Sequence, residues 1–239
     1  MNRVSGALVA VAAGFFAFSA EAAQVSLTDI SGVWSAATLN NGGAPSGLGT
    51  SAISWGVPDT PKGQSGYTFD AAAPASDLVA DTPFAFGQFT HSNFPIYDPS
   101  LVSAQLSLSF DLVVDGVAQT LNATYTFNHT ETPNNGGGNN CCNDLVEFLT
   151  SAVSFDSVTI GGVEYTFKLD GFVTDAGKPV SFFSTEEGKR NTATLVGRFT
   201  QVDPVDPPGP SPVPLPVPVA MLGFGVTGLG LLGKLRRKG

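Results

Sequence analysis

The strongest constraint on this sequence is a two-residue alternation of apolar and polar side chains that reverses at Asp115-Gly116. Leu106, Leu108, Phe110, Leu112 and Val114 alternate with Ser107, Ser109 and Asp111, the pattern of a strand with one buried face. Asp-Gly is a strong signal for a two-residue hairpin loop. After it, Val117, Leu121, Ala123, Tyr125 and Phe127 alternate with Thr120, Asn122, Thr124 and Thr126. With Asp115-Gly116 as the loop, facing positions sum to 231, which sets Leu106 against Tyr125, Leu108 against Ala123, Phe110 against Leu121 and Val114 against Val117. Every pair is apolar on both strands, and a slip of one residue would turn each strand over.

The same period recurs elsewhere. A second hairpin is expected at Gly161-Gly162, between Val158 and Ile160 on one side and Val163, Tyr165, Phe167 and Leu169 on the other. Shorter strands are expected at Val25–Ala36, Ser51–Gly56, Gly66–Asp70, Phe84–Thr90, Asp144–Thr150, Val180–Ser184 and Thr192–Val202. Asp144–Thr150 reads as a strand or as a helical turn. No capped run shows the 3.6-residue period of a helix, and no internal repeat argues for a propeller or solenoid. Many short strands joined by Gly, Asn and Asp turns predict an all-β, antiparallel two-sheet β-sandwich or jelly-roll-like domain over residues 23–202.

The two ends read differently from this middle. Residues 1–22 combine Arg3, an apolar run from Ala7 to Phe18, and Ala20-Glu21-Ala22, the three parts of a secretory signal peptide with cleavage after Ala22. A short membrane anchor is the alternative. At the other end, Asp203 to Pro212 is a Pro-rich linker that continues into Val213-Pro214-Leu215-Pro216. The 17 apolar residues from Val217 to Gly233 predict a single-pass transmembrane helix, and a basic tail, 234–239, follows with Lys234, Arg236, Arg237 and Lys238. The basic cluster would stay cytoplasmic, leaving the domain outside. Without these ends, residues 23–202 carry six Lys/Arg against 17 Asp/Glu, a net charge of −11. That sign excludes a nucleic-acid binder, which needs clustered basic surface.

Few residues offer chemistry. The histidines are His91 and His129. The hairpin register puts Asn128 and His129 beside Ser103 and Val102, at its open end. His91 precedes that strand across a turn containing Pro95 and Pro99. Both histidines therefore fall at one end of the domain, with Asn93, Asp98 and Glu131 near them. Two imidazoles with a carboxylate suit a metal such as Zn²⁺, so His91, Asn93, His129 and Glu131 form a candidate ligand cluster. The alternative is that Thr90, His91 and Asn93 satisfy backbone groups of a loop crossing between sheets. His-Glu-x-x-His, Gly-x-Ser-x-Gly, Walker-type and EF-hand patterns are absent, so no catalytic residue and no cofactor is assigned. Cys141 and Cys142 are adjacent. Export favours oxidation, and the pair admits a strained vicinal disulfide, free thiols or intermolecular bonds.

The Val213-Pro214-Leu215-Pro216 motif, apolar stretch and terminal basic run together resemble the PEP-CTERM class of sorting signals, in its Val-Pro-Leu-Pro-Ala variant, with Val217 where that variant has Ala. Within the domain, Gly32-Val33-Trp34, Ile53-Ser54-Trp55-Gly56-Val57-Pro58 and Gln64-Ser65-Gly66-Tyr67-Thr68-Phe69 precede Phe86-Gly87-Gln88-Phe89-Thr90-His91-Ser92-Asn93-Phe94-Pro95-Ile96. Glu131-Thr132-Pro133-Asn134-Asn135, Gly161-Gly162-Val163-Glu164-Tyr165-Thr166-Phe167, Thr185-Glu186-Glu187-Gly188 and Asn191-Thr192-Ala193 follow. This order resembles the THxN family of PEP-CTERM proteins, named for the segment matching Thr90-His91-Ser92-Asn93, and is similar to the choice-of-anchor K domain. The resemblance implies a bacterial chain that crosses the inner membrane, is anchored there transiently, and is processed by an exosortase-type protease on its way to the cell surface, outer membrane or extracellular matrix.

The expected role is structural or adhesive and non-enzymatic. A carbohydrate-binding module for exopolysaccharide is the alternative, with Trp34, Trp55 or Tyr97 as exposed aromatic platforms. An enzyme acting on surface polymers is a third reading.

Overall fold

The structure is a computed structural model and describes residues 23–134, 142–149, 154–155, 157–174 and 177–202. The expected signal peptide, the linker and sorting motif, the apolar helix, the basic tail and Cys141 lie outside the described residues. Among the described residues the fold is all-β. Every ladder is antiparallel, and no helix is long and apolar enough to cross a membrane.

In chain order the strands are β1 (Val25–Leu39), β2 (Ala52–Trp55), β3 (Val57–Pro58), β4 (Ser65–Ala71), β5 (Phe84–Asn93), β6 (Ile96–Tyr97), β7 (Leu101–Val114) and β8 (Val117–Thr130). The second half adds β9 (Asp144–Phe148), β10 (Ser154–Phe155), β11 (Ser157–Ile160), β12 (Val163–Val173), β13 (Pro179–Val180), β14 (Phe182–Thr185) and β15 (Lys189–Val202). The first sheet runs β1-β7-β8-β9-β14, with β10 added to β8. The second runs β11-β12-β15-β5-β4-β2, with β13 on β12, and β3 pairs with β6 in a small ribbon.

The central hairpin has the expected register: Leu106 pairs with Tyr125, Leu108 with Ala123, Phe110 with Leu121 and Val114 with Val117. Asp115 and Gly116 have φ of 48° and 82°, the two left-handed conformations that a type I′ loop requires. The second hairpin turns as expected, with Ile160 opposite Val163. Of the two readings of Asp144–Thr150, the strand holds over Asp144–Phe148, which lies between β8 and β14 with Asp144, Val146 and Phe148 inward at a two-residue period. One expectation needs correction. The strand beginning at Phe84 does not stop at Thr90: it continues through His91, Ser92 and Asn93, which pair with Asn191, Arg190 and Lys189 of β15.

The inward faces of the two sheets meet in one aromatic core. Trp34 of β1 packs on Tyr67 of β4 with ring centroids 5.3 Å apart, and Phe127 of β8 stacks on Phe89 of β5 at 5.9 Å. Phe110 of β7 reaches Phe86 and Phe167 at 5.2 and 5.0 Å. Aromatic pairs at these separations add to the burial term that dominates folding. At one end of this core the apolar residues give way to histidines and carboxylates.

Candidate functional site

His91 reaches the core through a local irregularity. Along β5 the inward residues are first Phe84 and Phe86, then Phe89, His91 and Asn93, so the phase changes from even to odd positions. The change coincides with a bulge against β15, where Leu195 pairs with Gly87 and Val196 with Ala85, leaving Phe86 unpaired. A strand without this extra residue would turn His91 to the other face. Gly87 makes the bulge possible, because a Cβ there would lie 2.5 Å from the Asp70 carbonyl oxygen and 2.6 Å from the Phe69 ring. His129 needs no such device, since it stays in phase with Tyr125 and Phe127 along β8.

The two imidazoles come together with centroids 5.1 Å apart and planes at 90°. Trp55 of β2 stacks on His91 and lies edge-on to His129. Both rings are buried, at 0% and 6% exposure. His91 Nδ1 lies 2.9 Å from Thr185 Oγ1, and that hydroxyl donates to the Asp144 carbonyl at 3.3 Å. With its own proton committed, Thr185 Oγ1 is an acceptor for His91, which fixes the proton on Nδ1 and leaves Nε2 as a bare lone pair. No hydrogen-bond partner meets that Nε2.

His129 Nδ1 is 2.7 Å from the Tyr67 hydroxyl, and its Nε2 is 3.2 Å from Glu131 Oε2 and 3.7 Å from Asp144 Oδ2. Asp144, fully buried, accepts bonds on Oδ1 from the Thr132 backbone N–H at 2.9 Å and the Thr132 hydroxyl at 3.2 Å, while Oδ2 accepts none. Asn93 donates to the Thr185 carbonyl at 3.1 Å. His91, His129 and Asp144 each offer a ligand-type atom within 4.8 Å of the others. Buried polar atoms without a hydrogen-bond partner gather here: Trp55 Nε1, His91 Nε2, Asn93 Oδ1, Glu131 Oε1, Asp144 Oδ2 and Glu187 Oε2. Leaving such atoms unpaired costs about 1–3 kcal/mol each, so their concentration in one place marks the cluster as built for more than packing.

Protonation follows from burial. Desolvation, and then the neighbouring His129, holds His91 well below the ordinary imidazole range. Desolvation also lowers His129 to about 4, against the opposing pull of Asp144. Glu131 is raised to about 7 by desolvation and by Asp98, and Asp144 to about 7 by desolvation and by Glu131. Glu187 is raised as well, first by desolvation and then by Glu131. At neutral pH two uncharged imidazoles face carboxylates that resist losing their protons together.

Of the residues expected here, His91, Asn93, His129 and Glu131 are brought together, and Asp98 lies beside Glu131 on a bordering cleft, its carboxylate accepting a bond from Asn40 at 2.7 Å. The expectation that Thr90, His91 and Asn93 serve a crossing loop is corrected by their place on β5: His91 bonds a side chain, and Asn93 alone bonds a backbone carbonyl. Asp144, Thr185, Tyr67 and Trp55 were not anticipated from sequence. Trp34 and Trp55 are 0% and 1% exposed and serve as core residues, so neither is a sugar platform, because each falls on an inward strand position. Tyr97 is exposed, at 61%. Cys142 is disulfide-bonded, and the chain's other cysteine, Cys141, lies outside the described residues.

The chain matches no protein-family model, and no curated protein is significantly similar to it.

Proposed function

We propose that this chain is an exported bacterial protein whose domain, a two-sheet β-sandwich of jelly-roll type, is delivered to the cell surface or extracellular matrix for a structural or adhesive, non-enzymatic role. The carrying observation is the pairing on one chain of a secretory-type leader (1–22) with Val213-Pro214-Leu215-Pro216, an apolar stretch and a basic end, on either side of an all-β domain. The leader sends the chain through the inner membrane, the apolar stretch 217–233 holds it there, and an exosortase-type protease releases it. The resemblance to the THxN family of PEP-CTERM proteins supports the same route. Burial of the histidine–carboxylate cluster supports the non-enzymatic part, because a polymer chain has no access to His91 at 0% exposure.

The test is fractionation of cells that carry a matching exosortase. The native chain is expected in the outer-membrane or extracellular fraction, shortened at its C-terminus, and a chain with residues 213–216 replaced by alanine is expected at full length in the inner membrane. Native chain remaining at full length in the inner membrane refutes the reading.

One observation favours a second reading, recognition of exopolysaccharide. Tyr97 borders a surface cleft of about 550 Å³ lined also by Asp59, Asp98, Ser100 and Asn134, a ring edge beside hydrogen-bonding groups of the kind that engage sugars. Binding on a glycan array that disappears in Tyr97→Ala supports it, and an array without signal removes it.

A further inference from the structure

We propose that His91, His129 and Asp144, with Glu131 as the fourth donor, form a binding site for one divalent transition-metal ion of the Zn²⁺ type. The inference is independent of the export route.

Its basis is a division of labour within each side chain. His91 has Nδ1 tied to Thr185 Oγ1 and Nε2 free; Asp144 has Oδ1 tied to Thr132 and Oδ2 free. His129 has Nδ1 tied to Tyr67, and its Nε2 is directed to Glu131 Oε2 and Asp144 Oδ2. Metal-bound histidines characteristically donate the proton of the other ring nitrogen to a fixed acceptor, which sets tautomer and ring orientation. Thr185 and Tyr67 offer that acceptor to His91 and His129 respectively. An imidazole ligating through Nε2 carries its proton on Nδ1, so His129 donates to the Tyr67 oxygen in the loaded state.

The spacing agrees. Zinc–ligand distances of ~2.0–2.2 Å in tetrahedral geometry put neighbouring donors ~3.4 Å apart. His129 Nε2 lies 3.2 Å from Glu131 Oε2 and 3.7 Å from Asp144 Oδ2, values on either side of that separation. A ring nitrogen of His91 belongs with His129 and Asp144 to a set of ligand-type atoms spanning no more than 4.8 Å, which side-chain adjustments of about an ångström would close around an ion.

Charge explains why an ion belongs there. Two buried carboxyls beside two neutral imidazoles, with no Lys or Arg in the cluster, resist ionising, and a divalent cation would stabilise both in the charged form. Two nitrogen and two oxygen donors select a first-row ion such as Zn²⁺ over Ca²⁺ or Mg²⁺, which prefer sets made entirely of oxygen. Glu131, whose side chain is 17% exposed, also lines the Tyr97 cleft, which places the cluster beside solvent. An ion so held joins β5 of the second sheet to β8 and β9 of the first, acting as a clasp between the sheets.

The experiment uses the full chain purified in detergent, stripped with chelator and titrated with Zn²⁺ by calorimetry, with elemental analysis after dialysis and thermal melting in parallel. About one Zn²⁺ retained per chain and a raised melting midpoint are expected. Asp144→Asn and His91→Gln, each checked for native circular dichroism, are expected to lose at least tenfold in affinity, whereas Asp111→Asn, on the solvent side of β7 where it is bonded by Thr120, retains it. A native chain that binds no Zn²⁺ and melts at an unchanged midpoint overturns the proposal. Folded Asp144→Asn and His91→Gln chains with undiminished affinity also overturn it, by placing the ion elsewhere on the acidic surface. If those variants do not fold, the Co²⁺-loaded native chain decides: intense visible absorption of a four-coordinate ion supports the site, and the weak absorption of a six-coordinate ion overturns it.

Discussion

Tyr67 and His129 lie on different sheets and are joined by a 2.7 Å hydrogen bond between the phenol oxygen and Nδ1. The bond is fully buried, and Tyr67 also packs against Trp34, Trp55 and Phe89. Tyr67→Phe keeps those ring contacts and removes only the hydroxyl, leaving a buried imidazole nitrogen unpaired. Urea unfolding is expected to show a loss of about 1–3 kcal/mol, and Zn²⁺ calorimetry a weakening of about 10–100-fold.

Thr185 plays the corresponding part for His91. Thr185→Val preserves shape and deletes the acceptor, so Zn²⁺ affinity is expected to fall about 10–100-fold. Thr185→Ser restores the oxygen and is expected to recover most of that affinity. Equal affinities for the two variants would show that His91 needs no anchor.

In the metal-free chain the groups of the cluster oppose one another in pH dependence. His91 and His129 are held low, the latter near 4, while Asp144 and Glu131 are held near 7 and Glu187 is also raised; Tyr67 stays a phenol throughout, its value raised by burial. The unfolded chain binds more protons on the histidines below pH ~6.5, so their stabilisation is present above that value and is lost as pH falls towards 4. The folded chain binds more protons on the carboxyls, so their stabilisation is present below pH ~4 and is lost as pH rises through about 7. Replacing both carboxyls, as Glu131→Gln with Asp144→Asn, leaves the histidines unopposed. Urea unfolding from pH 7 down to 4 is expected to show this variant losing stability, by about 3 kcal/mol through His129 alone, whereas in the native chain the two carboxyls offset that loss.

Gly87→Ala tests the bulge. The added methyl meets the Asp70 carbonyl and the Phe69 ring, an overpacking expected to cost about 1–3 kcal/mol. If the strand relieves the clash by giving up its extra residue, His91 leaves the cluster. Zn²⁺ affinity is then expected to fall together with stability, whereas a purely local clash would lower stability alone.

Tryptophan emission separates the two kinds of ligand. Trp34 and Trp55 are both buried, and Trp55 stacks on His91 with centroids 5.8 Å apart. Emission is expected at short wavelength, insensitive to acrylamide and unchanged by polysaccharide. Zn²⁺ is expected to alter it, and the response should vanish in Trp55→Phe.

The parts of this molecule legible in the sequence are those in which one strand carries its own evidence. Leu106 to Phe127 fixed a register because both strands alternate and the loop between them has a known length. The same register put His91 and His129 at one end of the domain, but not their convergence, which depends on the bulge in β5. Asp144 and Thr185 escaped because they meet through pairing of β9 with β14, 41 positions apart, which no local pattern encodes. A trace was nevertheless present: Asp144 is in step with Val146 and Phe148, and Thr185 with Phe183. A charged or polar residue holding an apolar phase is the mark of a buried polar site. The same phase test, applied to Ile53 and Trp55, would have placed that tryptophan indoors. The bulge in β5 shows only as a change of parity between Phe86 and Phe89, inside the segment expected as one strand from Phe84 to Thr90.

The last described strand, β15, lies between β12 and β5, in the interior of its sheet. Its ladder with β12 runs from Glu164 opposite Val202 to Val173 opposite Thr194, and its ladder with β5 from Lys189 opposite Asn93 to Gly197 opposite Phe84. A pull transmitted from the residues after Val202 acts along this strand and strains both ladders at once, in shear, so that no single bond bears the load and none opens ahead of the rest. A strand at a sheet edge, pulled sideways, would instead peel one bond at a time. The described domain is therefore expected to resist a pull along β15 better than a pull across it.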